Sequence, residues 1–218
     1  MTKSIEEKQK MAIRYYDKLS YVYDFVSNWY YTKPRNFAIK KLEIQKNEVI
    51  LNLPCGTGVN FKYFQKHLKN TGSVLGIDLS EGMLKQASKK ITKNNWKNIF
   101  LVKEDATNIN KEWYRQFSET KRLNGVDVVF CDLGLSGLPE WQSIIDNMIA
   151  ILKPNGRIAI MDWYLENPGL RGEVIKWIGK GEVTRPIYQY LETKIDKFEV
   201  DTSFCQGGVF VAYGAKLK

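Results

Sequence analysis

The sequence predicts an α/β fold, a seven-stranded and mostly parallel sheet with helices on both faces and an antiparallel hairpin at its C-terminal end. Five apolar segments of strand length alternate with segments of helical periodicity. The first apolar segment runs into a glycine turn, 54–58, and the second ends in Asp78. The last two strand segments, 198–204 and 207–215, are joined by a short turn and must therefore pair antiparallel.

The N-terminal part of the chain is predicted to be helical. Over residues 5–31, apolar and aromatic residues recur at steps of three and four, and this amphipathic pattern breaks before Lys33-Pro34. A second helix is predicted over 36–42. We therefore divide the chain into an N-terminal helical segment, 1–46, and an α/β domain, 47–218.

The α/β domain contains the remaining elements in alternating order. Its parallel strands are predicted at 48–53, 73–77, 99–103, 126–131 and 157–162. Its helices are predicted at 59–69, after a Ser80 N-cap to about 91, within 105–125, at 139–152 and at 170–179. A turn is predicted at 153–156, before the fifth strand.

Composition restricts the class of protein. A length of 218 residues, 44% hydrophobic residues and a mean hydropathy of -0.37 fit one soluble domain. No apolar run approaches the roughly 18 residues of a membrane-spanning helix, and the polar N-terminus resembles no signal or transit peptide. Three widely spaced cysteines fit a reducing compartment, so we expect a cytoplasmic protein. With a single histidine and no CxxC or HExxH pattern, we expect no metal site.

The formal net charge of +9 favours an anionic partner, either nucleic acid or an acidic membrane surface. The lysines are scattered along the sequence and form no run, so a lysine-rich surface without any specific partner is an equal alternative.

The glycine turn and Asp78 together predict a nucleoside site at the carboxyl ends of the first two strands. Gly56 and Gly58 let a ligand approach the backbone, and Asp78 can accept hydrogen bonds from both ribose hydroxyls. The spacing also suits a nicotinamide dinucleotide. However, Phe61 occupies the place of the third glycine in that fingerprint, and Pro54 the place of an earlier one. The second half of the chain also lacks a second mononucleotide unit, which argues against a dinucleotide.

Five short motifs occur together in the order and spacing of one enzyme family. They are Leu53–Gly58, Gly76–Leu84, Glu104–Ala106, Val126–Phe130 and Leu152–Arg157. From about Met11 to the C-terminus, the chain resembles the class I S-adenosylmethionine-dependent methyltransferases. The resemblance implies a Rossmann-like sheet whose seventh strand lies antiparallel beside the fifth, and S-adenosyl-L-methionine as the cofactor.

The resemblance also implies which residues bind that cofactor. Gly56 and Gly58 would line its amino-acid end, near Asn52, and Asp78 would bind the ribose diol. The family usually has an acid at Asn52 and glycine at Pro54. Asn52 loses a charge near the cofactor ammonium, but its amide oxygen still accepts a hydrogen bond, so we expect binding to persist. These two departures motivate an alternative, a non-catalytic cofactor-binding or interaction protein.

The remaining implied contacts come from later motifs. Leu79 and Met83 would pack on the adenine, and Asp105-Ala106 would recognise its exocyclic amine. Asp132 and Leu133, just after the fourth strand, would lie beside the methionine portion and the reacting methyl.

The N-terminal segment narrows the subgroup. Residues 15–24 resemble the F-D-x-x-A-x-x-Y-D segment of quinone-biosynthesis methyltransferases and small bacterial phospholipid N-methyltransferases. In those relatives the helix closes over the cofactor as a lid, which implies Tyr23 near the cofactor carboxylate and Tyr16 as a second candidate. The alternative is an aromatic face that packs on the edge of the sheet.

An activated sulfonium methyl requires positioning of the acceptor and exclusion of water, and an oxygen, carbon or protonated amine acceptor also requires a base. Asp132 is the best candidate base, with Tyr16 and Tyr164 behind it. Asp162 faces the same rim but also suits a chain-turn cap. His67 falls late in its helix, away from the carboxyl ends of the strands.

The acceptor is predicted from the regions expected to face it, namely the N-terminal helix, 133–141 and 163–185. In 163–185, aromatic residues alternate with cations, which suits an amphiphile at an anionic interface. We expect methyl transfer to a small or amphiphilic acceptor, a lipid amine or a quinone-like compound, with peripheral membrane contact. The sequence does not indicate an oligomeric state.

An RNA methyltransferase is the alternative enzyme. Residues 132–135 lack the D/N-P-P-Y/F motif of amino-group base methylation, and Cys131 lacks the Pro-Cys context of cytosine C5 chemistry. The remaining length holds no separate RNA-binding module, so nucleic acid is the less favoured partner.

Overall fold

The computed structural model describes residues 23–179 and 181–217. Its α-helices of six or more residues are α1 Tyr23–Tyr30, α2 Thr32–Lys41, α3 Phe61–Leu68, α4 Glu81–Lys93, α5 Lys111–Lys121, α6 Trp141–Ile151, α7 Gly169–Gly179 and α8 Ile187–Glu192. Its strands are β1 Val49–Asn52, β2 Ser73–Asp78, β3 Ile99–Lys103, β4 Val126–Asp132, β5 Leu152–Trp163, β6 Asp196–Ser203 and β7 Val209–Ala215. Within the described ranges, no helix has the length and apolar character needed to cross a bilayer.

The seven strands form one sheet in the order β3-β2-β1-β4-β5-β7-β6. The first five strands are parallel, whereas β7 is antiparallel to both β5 and β6. The predicted fold is therefore confirmed. The chain progresses in opposite directions from β1 and from β4, and open α/β sheets bind ligands at such a switch point, beyond the carboxyl ends of the strands.

Each face of the sheet has its own apolar core. On one face, α2, α3 and α4 pack around Phe61, Phe64 and Phe130, which are all fully buried. On the other face, α5, α6 and α8 pack around residues such as Ile145 and Met148. Ser80 caps α4 as predicted, because its Oγ accepts a hydrogen bond from the Met83 N–H at 3.1 Å.

The N-terminal helices differ in part from the prediction. The helix predicted over 5–31 is described only from 23 to 30, and the remainder lies outside the described residues. The second helix begins at Thr32, four residues earlier than predicted, and contains Pro34. A proline is tolerated there because N–H groups in the first helical turn have no intrahelical partner. Ala38 and Leu42 are fully buried in the core, so α2 packs on the sheet of the α/β domain. The division of the chain into a helical segment and an α/β domain between residues 46 and 47 stays a prediction.

The turn predicted at 153–156 was wrong as a boundary, because β5 begins at Leu152 and includes these residues. The pairing with β4 jumps from Val126 opposite Leu152 to Val128 opposite Arg157, so the extra residues form a bulge. Asn155 has a positive φ of 62° there, and its N–H donates to the Lys216 carbonyl at 2.6 Å. The short helix α8 was not predicted.

Candidate functional site

Gly56 and Gly58 have different purposes in the glycine turn. Both have positive φ, 53° and 72°. A Cβ built on Gly56 meets no atom within 4 Å, so this part of the backbone faces open space. A Cβ built on Gly58 would lie 2.6 Å from the Phe61 ring. Gly56 can therefore be approached by a ligand, while Gly58 makes room for a side chain.

Phe61 explains the missing third glycine. Its ring is fully buried, and its tip lies 2.9 Å from the place that a Cβ on Gly76 would occupy. Glycines at 58 and 76 thus let a phenyl ring fill the space between α3 and the sheet. The site is built differently from the dinucleotide fingerprint, in which a glycine lets the helix approach the strand.

Asp78 ties the end of β2 to the glycine turn. Its Oδ2 accepts a hydrogen bond from the Gly56 N–H at 2.8 Å, and its Oδ1 accepts one from the Ser80 N–H at 2.9 Å. These contacts orient the carboxylate at the same edge as the open face of Gly56, a geometry compatible with ribose hydroxyls.

The residues predicted to contact adenine follow the carboxyl ends of β2 and β3. Leu79 is half-buried, and Met83 is buried in the first turn of α4. Asp105 caps a short 3-10 turn, because its Oδ1 accepts from the backbone N–H and the hydroxyl of Thr107 at 3.0 and 2.8 Å. Ala106 follows and is buried. The fold brings all four to one edge of the sheet, and their roles stay predictions.

Asn52 and Pro54, the two departures from the family pattern, both have structural partners. Asn52 is fully buried, and its Nδ2 donates to the Phe130 carbonyl of β4 at 3.1 Å. Its Oδ1 accepts from Asn60 Nδ2 at 3.4 Å. The Pro54 ring lies against Gly134, where a Cβ would collide with it. Asn52 therefore links β1 to β4 in addition to its predicted place near the cofactor.

Asp132 forms a buried ion pair that the sequence did not predict. At the end of β4, its Oδ2 accepts from Arg35 Nε at 2.8 Å, and Arg35 is fully buried. Arg35 also donates to the Ser27 hydroxyl at 2.8 Å. The guanidinium therefore connects α1, α2 and β4. One signal could have found it, because Arg35 shares the i, i+3, i+4, i+7 stripe of α2 with Ala38, Ile39 and Leu42.

The second carboxylate oxygen of Asp132 has a different environment. Oδ1 is buried and has no hydrogen-bond partner among the described residues. A buried acceptor without a partner is costly. Because Arg35 compensates the charge of the carboxylate, Oδ1 is suited to accept a hydrogen bond from an N–H or O–H group of a bound molecule.

Aromatic side chains form a wall at the ends of β5 and α1. Trp163 Nε1 donates to the Tyr31 hydroxyl at 3.1 Å, and Tyr30 stacks on the indole with ring centroids 6.0 Å apart. Burial raises the pKa of Tyr31 well above its ordinary value, so its hydroxyl stays protonated. The Arg171 guanidinium lies 6.0 Å from the Trp163 ring centroid. Tyr31 and Arg171 were not predicted.

Asp162 acts as a structural cap. It is fully buried, its Oδ2 accepts from the Ser136 N–H at 2.9 Å, and its Oδ1 accepts from the Trp163 N–H at 2.7 Å. Burial raises its pKa. Leu133, in the loop that Asp162 supports, has a φ of 57° and donates its N–H to the Met161 carbonyl at 2.8 Å. This arrangement fits the chain-turn role and fixes the loop after β4.

The N-terminal helix is attached to the glycine turn through Asp24. This carboxylate accepts from the Thr57 hydroxyl and pairs with Lys90 Nζ at 2.6 Å. Lys90 also donates to the Thr57 carbonyl at 2.6 Å. Burial lowers the pKa of Lys90 despite its pairing with Asp24. The helix predicted to act as a lid is therefore attached to the glycine turn.

Two of the remaining candidate side chains fall outside the described part of the chain, and two others lie away from this site. Tyr16 lies outside the described residues, and Tyr23 begins α1 but its side chain is not described. Tyr164 packs edge-on against Tyr188 with ring centroids 5.1 Å apart, on the opposite core from Trp163. His67 is exposed in the last turn of α3. Among the described residues, no group of three His, Cys, Asp or Glu side chains could hold a metal ion.

The residues present fit S-adenosylmethionine. Gly56 offers open backbone, Asp78 offers an oriented carboxylate at the end of β2, and Asp132 offers an orphaned acceptor at the end of β4. A nucleoside would lie against Asp78, and the group that accepts the methyl would lie against Asp132. The fold and this site define a nucleoside-binding α/β protein of the class I methyltransferase type.

Comparison with known proteins gives the family. A family model described as a methyltransferase domain matches residues 44–206. The chain therefore belongs to this methyltransferase family. A demethylmenaquinone methyltransferase of Listeria monocytogenes is 27% identical over 161 residues, which cover 72% of this chain and 64% of that protein. The chain thus spans less than two thirds of the length of the curated relatives it matches.

Two solved structures show the same fold. A SAM-dependent methyltransferase from Aquifex aeolicus aligns with a TM-score of 0.59 at 20% identity, over 83% of this chain and 88% of that one. Phosphoethanolamine N-methyltransferase 2 of Haemonchus contortus, solved with S-adenosyl-L-methionine, aligns with a TM-score of 0.69 at 12% identity. That alignment covers 89% of this chain and 57% of the other.

Proposed function

We propose that the protein transfers a methyl group from S-adenosylmethionine to a small or amphiphilic acceptor, a lipid amine or a quinone-like compound. One observation carries the proposal: the open glycine backbone with Asp78 and the orphaned Oδ1 of Asp132 lie at the carboxyl edge of the same sheet. A cofactor half and an acceptor half therefore meet at the switch point of the fold.

When bound, S-adenosylmethionine supplies an already activated methyl group. The chain's own residues then orient the methyl donor and the acceptor, and they exclude water from the site. Gly56, Asp78 and Ser80 hold the nucleoside edge, while Asp24 keeps α1 against the glycine turn. Holding two reactants in line can supply about 7–11 kcal/mol in favourable cases. Positioning is therefore the main contribution expected from these residues.

Asp132 sets the chemistry of the acceptor. Its free oxygen accepts a hydrogen bond and, in the same place, can take a proton from an amine or hydroxyl as methyl transfer proceeds. Arg35 keeps the carboxylate oriented through its other oxygen. Tyr31 interacts electrostatically with Asp132 and forms an aromatic wall with Tyr30 and Trp163. An N–H or O–H group on an apolar body is the acceptor chemistry that this arrangement suits.

The names of relatives support the two proposed acceptor classes, a quinone-like compound and an amine. The Listeria relative is named for demethylmenaquinone, a quinone, and the Haemonchus structure for phosphoethanolamine, an amine. The net charge of +9 supports contact with an anionic membrane, from which an amphiphilic acceptor would be taken.

RNA methylation remains the alternative enzyme activity. Within it, methylation of cytosine C5 is the reaction that the observations support least. Cys131 is fully buried, and burial raises the pKa of its thiol well above the ordinary value, so the nucleophilic thiolate is disfavoured. A non-catalytic cofactor-binding protein is the second alternative. The structural partners of Asn52 and Pro54 weaken the case for a non-catalytic protein, because the fold accommodates both differences from the family pattern.

The test combines calorimetry with a labelled-methyl assay. The protein should bind S-adenosylmethionine, and labelled methyl should appear in the lipid phase when total lipid is the acceptor. Binding without label in any acceptor pool would favour the non-catalytic alternative, and label in RNA alone would favour RNA methylation. Failure to bind the cofactor would contradict the enzyme assignment itself.

A further inference from the structure

The excess positive charge is concentrated in one stretch of the sequence, which the fold places on one face of the sheet. Residues 59–98 contain eight lysines and only two acids, so this stretch carries six of the nine excess positive charges. It includes α3 and α4, which lie side by side on one face of the sheet. Most of the net charge of the protein therefore lies on one side.

Seven of these lysines are exposed on α3, at its C-cap, on α4 and in the loop after α4, and we call them the lysine face. They are Lys62, Lys66, Lys69, Lys85, Lys89, Lys93 and Lys97. None has an ion pair with another described residue. Elsewhere on the described chain, cations commonly pair with acids, as Lys153 does with Asp127 and Lys194 with Asp146.

The spacing of these lysines is unfavourable for the helices that carry them. Lys85, Lys89 and Lys93 follow one another at i, i+4 and i+8 and line an open depression along α4. Lys62 and Lys66 repeat the i, i+4 spacing on α3. Like charges at this spacing destabilise a helix. An anionic partner would relieve that repulsion and would explain a surface that the fold itself does not need.

An exposed tryptophan lies next to this face. The side chain of Trp29 on α1 is 81% exposed, and the neighbouring Asn28 accepts a hydrogen bond from Lys62 Nζ at 3.1 Å. Tryptophan is enriched at membrane–water interfaces, where its ring lies among headgroups. Residues 59–98 contain no arginine, whereas bidentate phosphate recognition in nucleic acids favours arginine. The surface therefore fits a lipid bilayer better than an RNA.

We propose that the lysine face, with Trp29 at its edge, docks on the surface of an anionic phospholipid bilayer. This assigns the membrane contact to α3 and α4 instead of 163–185, where the sequence had placed it. The inference deepens the proposed function, because α1 links the lysine face to the glycine turn and would bring the site to the bilayer. Binding to vesicles is measured without methyl transfer, so either proposal can fail while the other holds.

The test is sedimentation with vesicles of phosphatidylcholine that contain phosphatidylglycerol, with pure phosphatidylcholine vesicles alongside. The full chain should sediment only with the anionic vesicles and should be released at raised salt. The variant K85Q/K89Q/K93Q should lower the partition coefficient at least about tenfold. The matched control K111Q/K121Q/R122Q removes the same charge from α5 and its C-cap, on the opposite face, and should change it less than about twofold. Circular dichroism checks that both variants are folded.

Two results would overturn the proposal. The first is equal loss of vesicle binding in both variants, which would mean that net charge alone is responsible. The second is absence of wild-type binding to anionic vesicles, including the case in which a structured RNA is bound through Lys85, Lys89 and Lys93 instead.

Discussion

The two halves of the candidate site are constructed differently. In the cofactor half, Gly56, Asp78 and Ser80 are close in sequence and are joined by backbone N–H groups. In the acceptor half, side chains from distant segments meet: Arg35 and Asp132 are 97 residues apart. The first half is a local consequence of a strand–turn–helix–strand unit, whereas the second depends on how α1 and α2 fold back over the sheet. Under the proposed function, cofactor binding would be encoded locally, and the acceptor would be selected by tertiary contacts.

The largest effect is expected from breaking the acceptor half. Arg35→Met should reduce the free energy of unfolding by about 3–5 kcal/mol, because it leaves the buried Asp132 carboxylate without its cation. Chemical denaturation measures this loss. The double variant R35M/D132L should recover much of it, since neither charge is then buried. A double variant as unstable as R35M alone would mean that the pair is not the source of the loss.

The two glycines offer a matched comparison within the cofactor half. Gly58→Ala should cost about 3 kcal/mol of stability, because a Cβ collides with Phe61 and φ is positive. Gly56→Ala should cost only about 1 kcal/mol, for its positive φ, but should weaken S-adenosylmethionine binding. Thermal unfolding and calorimetry separate the two effects. Equal stability losses would contradict the distinction between an open and a filled glycine.

The smallest effect is expected at the aromatic wall. Tyr31→Phe removes the acceptor of the Trp163 Nε1 hydrogen bond and should cost about 1 kcal/mol of stability. Cofactor affinity should not change, because Tyr31 belongs to the acceptor half. In a methyl-transfer assay the KM for the acceptor should rise while the Kd for the cofactor stays constant. A change in cofactor Kd would show that the two halves are coupled through this residue.

The sequence was sufficient for most of the fold. Strand and helix periodicity predicted all seven strands, and the motif order placed Gly56 and Asp78 together, because neighbouring parallel strands bring their ends to one edge. It was insufficient for Arg35 and Tyr31, whose partners are separated from them by 97 and 132 residues. The place of Arg35 on the apolar stripe of α2 was a visible signal, since a cation there must be buried with a partner. The lysine excess of 59–98 is visible in the sequence, but the folded arrangement of α3 and α4 is needed to place these lysines on one surface.

The central claim is that Asp78 holds the cofactor at the edge formed with Gly56. Calorimetric titration of S-adenosylmethionine into the wild type and Asp78→Ala tests it most directly. The two predicted hydrogen bonds from the ribose hydroxyls to the Asp78 carboxylate contribute about 1.5–3 kcal/mol each, so the variant should bind the cofactor at least about 100-fold more weakly. Asp132→Asn, in the other half, should keep measurable cofactor binding. Equal affinity in the wild type and Asp78→Ala would contradict the account.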